Sequence, residues 1–243
     1  MGVDKIKMNG RLLVIGDIHG NLRALEQCLE RSHFDKTHDR LIVLGDVVDG
    51  YPDTKTVVSR LINLGNACKF ILGNHDEWAM EWMLYGAQPD IWTSQGGWAT
   101  IKSYRDPRLG ITIPKGHREF FSKAPIYYEE DGRLFLHGGI KPNTLVRENN
   151  RDYILWDRNL ADTIQEKEFP GERTDYKLLS AYKEVFIGHS AYSSIPRTKY
   201  GVWNLDTGAG WGGKLTIMDV YTHEYWQSDS AEELYPGYRH RGP

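Results

Sequence analysis

Sulfur, net charge and long apolar runs are all scarce in this sequence, and each scarcity removes a class of function. Two cysteines in 243 residues, Cys28 and Cys68, cannot build a disulfide framework. Both sit in apolar patterns ("LEQCLE", "ACKFIL") that predict buried, reduced thiols and a cytoplasmic, reducing setting. A formal charge of −3 is too small to steer nucleic acid or an anionic membrane, so any affinity for phosphate must come from local groups. No run approaches the roughly 18 apolar residues of a membrane span, and "MGVDKIKMNG" lacks the apolar core of a leader. What is present is ample core material, 40% hydrophobic and 12% aromatic residues, enough for one sizeable globular domain.

The first three elements repeat one plan, a short β-rich apolar run, a Gly-Asp or Gly-Asn corner, and then a helical pattern. "RLLVIGDIHG" leads into "NLRALEQCLERS", with Leu22, Leu25, Cys28 and Leu29 at helical spacing. "RLIVLGDVVD" leads into "TKTVVSRLINLG", with Val57, Val58, Leu61 and Ile62 on one face and Gly65 as the expected C-cap. "CKFILGNHD" leads into "EWAMEWMLYG". This alternation predicts βαβ units, a parallel sheet, and ligands at the C-terminal strand ends. From 86 to 131 the chain turns aromatic and turn-rich, with one short helical stretch near His117 to Lys123, and reads as an inserted cap within a single domain spanning 1–243. Three more strand-and-corner units follow, "RLFLHGG", "EVFIGHS" and "VWNLDTGAG", and then "KLTIMDVYTHEYW" as a closing antiparallel pair. The "YRHRG" end reads as a solvated tail.

The corner residues matter as a set. Singly, a strand-end Asp is a helix cap and a lone His is a structural hydrogen-bonding residue. Together, Asp17, His19, Asp46, Asn74, His137 and His189 put two Asp, one Asn and three His at five strand ends. That oxygen and imidazole set suits a pair of divalent metals and, having no thiolate, does not suit a closed structural zinc site. Asp46, directly at its strand end, is the natural bridge. Asp49 lies a turn further on and needs another task, and His75, beside Asn74, needs a carboxylate behind it. An acid dyad of Asp49 and His75 satisfies both.

At these residues the sequence resembles the calcineurin-like metallophosphoesterases. "GDIHG", "GDVVDG", "GNHD", "HGG" and "GH" follow, in order, the blocks GDxHG, GDxVDRG, GNH[DE], HGG and GH of the phosphoprotein-phosphatase branch, and resemble most the compact bacterial and bacteriophage lambda-type serine/threonine protein phosphatases. "LWDRNL" and "LDTGAGWGGKLTIMDV" extend the likeness. The resemblance implies an α/β fold, two mixed β-sheets packed as a sandwich flanked by helices. It implies that Asp17, His19 and Asp46 hold one metal and that Asp46, Asn74, His137 and His189 hold the other, with Mn²⁺ or an iron–zinc or iron–manganese pair as the ions. It makes His75 the general acid, Asp49 its partner and Arg158 a substrate-phosphate arginine.

One block departs from the pattern. Where the branch has Asp-Arg-Gly, this chain has Asp49-Gly50-Tyr51, so one phosphate-gripping arginine is missing and the space it would cross is expected to be empty. Lys55, Arg105 and Arg158 are the candidate replacements. Trp78, Trp82, Trp92 and Trp98 are candidates to stack on a base or an aromatic phospho-residue, Trp78 and Trp82 reading better as packing. The resulting expectation is a dinuclear phosphomonoesterase of protein phosphatase type, acting on phosphoserine, phosphothreonine or phosphotyrosine. Alternatives are a dinucleoside polyphosphate hydrolase, with the cap aromatics on adenine, then a phosphodiesterase, or an idle binding module. The expected partner is a phosphorylated protein or small phosphoester, with no membrane and no strong nucleic-acid footprint.

Overall fold

The computed structural model describes residues 10–165 and 181–238. The leader reading at the N-terminus and most of the "YRHRG" tail fall outside the described residues. The first half of the chain supplies β1 (Leu12–Ile15), α1 (Leu22–Arg31), β2 (Arg40–Val43), α2 (Thr54–Ile62), β3 (Cys68–Phe70) and α3 (Asn74–Tyr85). The inserted segment carries α4 (Asp90–Trp92), a wide π-type turn over Thr93–Gly97, α5 (Trp98–Ser103), a small hairpin of β4 (Arg105–Asp106) and β5 (Gly110–Ile111), and α6 (Lys115–Ser122). Then come β6 (Tyr127–Glu130), β7 (Arg133–Leu136), α7 (Arg151–Trp156), α8 (Asn159–Gln165), β8 (Glu184–Ile187), β9 (Arg197–Lys199), β10 (Val202–Asn204), β11 (Thr216–Asp219), β12 (Tyr225–Gln227) and α9 (Ala231–Leu234).

These strands form two five-stranded mixed sheets, in the orders β12-β11-β1-β2-β3 and β6-β7-β8-β10-β9. Within the first, β1, β2 and β3 run parallel, and within the second β7, β8 and β10 do. The expected closing pair is β11 and β12, antiparallel. The strands read as unbroken apolar runs because both faces are covered. Leu13, Ile15, Leu41 and Val43 pack outward under the helices, while Leu12, Val14 and Ile42 pack inward against Phe135 and Phe186 of the second sheet. Those two rings stack with centroids 5.0 Å apart. On the far side Leu134, Leu136, Val185 and Ile187 are covered by Ile154, Leu160 and Ile164 of α7 and α8. The product is the expected sandwich of two sheets between helical layers.

Local signals mostly held. Asn21 caps α1 through its side chain, accepting the Ala24 N–H at 2.9 Å. Gly65, however, does not cap α2, whose C-cap is Asn63; the glycine instead starts a separate 3₁₀ turn with φ of +59°. Cys28 is buried but Cys68 only half so, and both are free thiols. The inserted segment is less separate than its composition suggests, since Trp92, Ile101, Tyr104 and Phe121 join the core of the first sheet.

His117 fastens this segment to the domain. Its Nδ1 lies 2.7 Å from the Tyr104 hydroxyl and its Nε2 3.1 Å from Ser59 Oγ on α2. Burial, helped by the Lys55 charge, lowers its pKa from the ordinary 6.5. Below about pH 6.5 the unfolded chain therefore takes up a proton that the folded chain resists, and stability falls. Thermal unfolding of wild type and His117→Gln from pH 7.5 to 5 should show the wild type losing ground to the non-titrating variant as pH drops. A constant difference would mean that His117 titrates normally.

Candidate active site

Parallel strands end on the same side, so the C-terminal edges of β1, β2 and β3 face those of β7, β8 and β10 across one cleft. Asp17 and His19 follow β1, Asp46 and Asp49 follow β2, and Asn74 and His75 open α3 after β3. His137 follows β7 and His189 follows β8. All eight are buried. The turns that aim them are strained: His19, Asp46, Asp49 and His189 have φ of +50°, +48°, +69° and +67°. A non-glycine residue adopts that left-handed region only where its surroundings enforce it. Glycine is needed where the backbone must pass the carboxylates. A β-carbon at Gly73 would collide with Asp46 and one at Gly188 with Asp17.

The donor atoms fall into two groups that share Asp46, namely Asp17, His19 and Asp46, and Asp46, His137 and His189. Within each group the donor atoms lie within 4.8 Å of one another. Asn74 joins the second, its Oδ1 2.8 Å from His137 Nε2. Each imidazole has one ring nitrogen tied to a backbone carbonyl. His19 Nδ1 is 3.1 Å from Val48 O, His137 Nδ1 is 2.8 Å from Leu44 O, and His189 Nε2 is 3.2 Å from Trp156 O. That leaves the other nitrogen of each ring for the cleft, the arrangement metal-ligating histidines use to fix tautomer and direction. The electrostatics agree for His19 and His189. Burial lowers the pKa of His19 to about 4 and that of His189 to about 2, so both are neutral donors. Burial also opposes protonation of His137, but Asp46 and Asp17 outweigh it and push its pKa up to about 10. Asp17 is raised by burial and by the neighbouring Asp206, a crowding of carboxylates that a divalent cation relieves. The set fits two hard or borderline cations.

Beside this array stands the dyad. His75 Nδ1 is 2.7 Å from Asp49 Oδ2, and the His75 backbone N–H donates to Asp46 Oδ1 at 3.0 Å. Burial works against charge on His75, yet Asp46 and Asp49 prevail and hold it above the ordinary imidazole range. Arg158 reaches the rim, its Nη1 donating to His189 O at 2.8 Å and Ser190 Oγ at 3.2 Å. Of the three proposed arginine substitutes only Arg158 lines the cleft. Lys55 lies over the Tyr104 ring, 5.8 Å from its centroid, and Arg105 sits on the exposed β4. A β-carbon at Gly50, where φ is +76°, would make only ordinary contacts, with His19 at 3.4 Å and Gly210 O at 3.9 Å. Gly50 is buried, its N–H donates to Gly96 O at 3.3 Å, and the turn around Gly96 brings Gln95 to the cleft.

Sequence reading missed several groups. Asp206, buried after β10, lines the cleft, and burial raises its pKa to about 6. Asp76, the last residue of "GNHD", accepts the Gly73 N–H and the Val47 N–H, both at 2.9 Å, tying the β2 turn to the start of α3. Among the described residues, the aromatic side chains at the cleft are Trp156, Trp211 and Tyr192. None comes from the inserted segment, where Trp92 is wholly buried and Trp82 packs against it at 5.9 Å. Trp78 is half-buried, edge-on to Trp156 at 4.8 Å.

The sequence model of the calcineurin-like phosphoesterases matches residues 10–211. The chain belongs to that family. It is accordingly a metal-dependent phosphoesterase, and the family implies a dinuclear divalent-metal site. Among curated relatives, the symmetrical bis(5'-nucleosyl)-tetraphosphatase of Vibrio campbellii is 24% identical, over 84% of this chain and 93% of its own. The enzyme of the same name from Pseudomonas fluorescens is 24% identical, over 90% and 95%. Solved structures share the phosphoesterase fold. A protein provisionally named a diadenosine tetraphosphatase superposes with a TM-score of 0.69 at 23% identity, covering 95% of this chain and 96% of its own. A serine/threonine phosphatase from Saccharomyces cerevisiae gives 0.64 at 13%, covering 97% and 84%. No helix among the described residues is long and apolar enough to cross a membrane.

Proposed function

We propose that this phosphoesterase hydrolyses dinucleoside polyphosphates at a phosphoanhydride bond. The observation that carries the reading is a pair of exposed indoles, one at each end of the donor array. Trp211, 38% exposed, tilts against His19 with ring centroids 6.3 Å apart, and Trp156, 37% exposed, stands edge-on to His189 at 6.2 Å. His19 belongs to one donor group and His189 to the other. A phosphate chain laid across both groups would bring its two nucleosides to the two indoles, where stacking contributes about 1–3 kcal/mol per base. The cleft, about 400 Å³, has room for the phosphates while the bases rest on its rim. The names of the curated relatives support the same substrate class. A phosphoseryl peptide could use the same donors but has no use for two indoles.

In this reading Asp17, His19 and Asp46 hold one divalent cation and Asp46, Asn74, His137 and His189 the other, Mn²⁺ or an iron-containing pair. When bound, such ions acidify a water and offset charge on the phosphoryl oxygens. His75, held at Nδ1 by Asp49, keeps Nε2 for the cleft and hands its proton to the departing oxygen. Arg158, anchored by its Nη1 bonds, offers a charge-assisted contact to a phosphate at the rim.

Trp156→Ala and Trp211→Ala should each raise KM for diadenosine tetraphosphate by about 5-fold to 100-fold, the equivalent of one lost stacking contact. Rates on p-nitrophenyl phosphate should hardly change. Mn²⁺-loaded protein that leaves diadenosine tetraphosphate intact while dephosphorylating a phosphoseryl peptide would return the monoesterase reading to first place.

A further inference from the structure

The inserted segment does more than bring Gln95 to the cleft. Asp49 lies under it with both carboxylate oxygens engaged. Oδ2 accepts from the Trp92 indole N–H at 2.8 Å as well as facing His75 Nδ1, and Oδ1 accepts the Thr100 hydroxyl at 2.6 Å. Thr100 Oγ1 in turn accepts the Asp49 backbone N–H at 2.9 Å and lies 3.3 Å from Thr54 Oγ1. Trp92, Thr100 and Asp49 are all wholly buried. A carboxylate can rotate about its terminal bond, and a single contact to an imidazole would leave that rotation open. Three donors around one carboxylate close it.

We propose that Trp92 and Thr100 are positioning residues that act on the reaction through Asp49, fixing the carboxylate that orients the His75 imidazole. The chain between them forms the wide turn that carries Gln95 to the cleft, so one short segment both meets the ligand and holds the proton donor in line. The inference rests on the reading of His75 as the acid. A mispositioned carboxylate lets the ring swing, and proton delivery suffers while substrate binding does not.

The test is a cycle on Mn²⁺-loaded enzyme with diadenosine tetraphosphate and with p-nitrophenyl phosphate. Thr100→Val, which keeps the shape and removes the hydroxyl, should lower kcat about 10-fold with KM unchanged, and Trp92→Phe should act in the same direction. Thr100→Ser should restore most of the rate. In a His75→Asn background the same changes should cost less than about 2-fold, because the group they position is gone. Equal losses in both backgrounds, or full activity of Thr100→Val in the wild type, would overturn the proposal. If His75→Asn alone left kcat unchanged, the acid reading itself would fall and take this one with it, an outcome visible in that single variant. A second measurement needs no turnover. The downfield Nδ1–H proton resonance of His75, assigned by its loss in Asp49→Asn, should shift or broaden in Thr100→Val and persist in Thr100→Ser; an unmoved signal in Thr100→Val counts against the idea.

Discussion

Asp46→Asn is expected to lower kcat/KM by roughly three orders of magnitude and to leave the protein with fewer than two bound metals. Asp46 is the residue common to both donor groups. Its Oδ2 lies 3.3 Å from His137 Nε2 and 3.8 Å from His19 Nε2, and its Oδ1 receives the first-turn amide of His75. Asparagine keeps the shape and one oxygen but loses the charge that two cations would share. Lewis-acid stabilisation of phosphoryl charge contributes several kcal/mol, and about 1.4 kcal/mol is tenfold in rate, which sets the expected size. Metal analysis of chelator-free protein, beside turnover with and without added Mn²⁺, checks both halves. Two metals and near-normal turnover in the variant would remove Asp46 from the bridging position.

His75→Asn should lower kcat by about 10²–10⁴-fold, the usual contribution of a positioned acid, without loss of metal. The loss should grow with the basicity of the leaving oxygen, being greater for phenyl phosphate than for p-nitrophenyl phosphate. Asp49→Asn should act in the same direction, because an amide cannot hold the Nδ1–H tautomer as the carboxylate 2.7 Å away does. The double variant should be little worse than His75→Asn alone. Losses that multiply would separate the two residues into independent roles.

Legibility followed distance along the chain. The strands, corners and most helices were plain in the sequence because a run such as "LLVI" or "LIV" and the Gly-Asp turn after it are local and periodic. The exception is Gly65, where α2 is already capped at Asn63 and the glycine starts a 3₁₀ turn instead. The aromatic content of 86–131 suggested base stacking, but composition carries no information about burial. Trp92 faces Asp49, 43 positions earlier, and Thr100 faces it across 51. The indoles that do reach the cleft belong to segments that carry none of the six candidate metal ligands. The missing arginine at Gly50 is visible in the sequence, whereas the approach of the Gly96 carbonyl to the Gly50 N–H is not.

By itself the sequence determined the βαβ units with their parallel strands, the types of donor at each strand end, and the pairing of Asp49 with His75 as an expectation, since each follows from residue chemistry at a local corner; the two-sheet sandwich came only with the family resemblance. Tertiary structure decided which aromatics reach the ligand and which become core, and how the Asp49 carboxylate is held. It also decided which nitrogen of each histidine faces the cleft. Those outcomes depend on backbone carbonyls and side chains brought together from distant segments, and burial and hydrogen-bond partnership exist only once the two sheets and the inserted segment have packed.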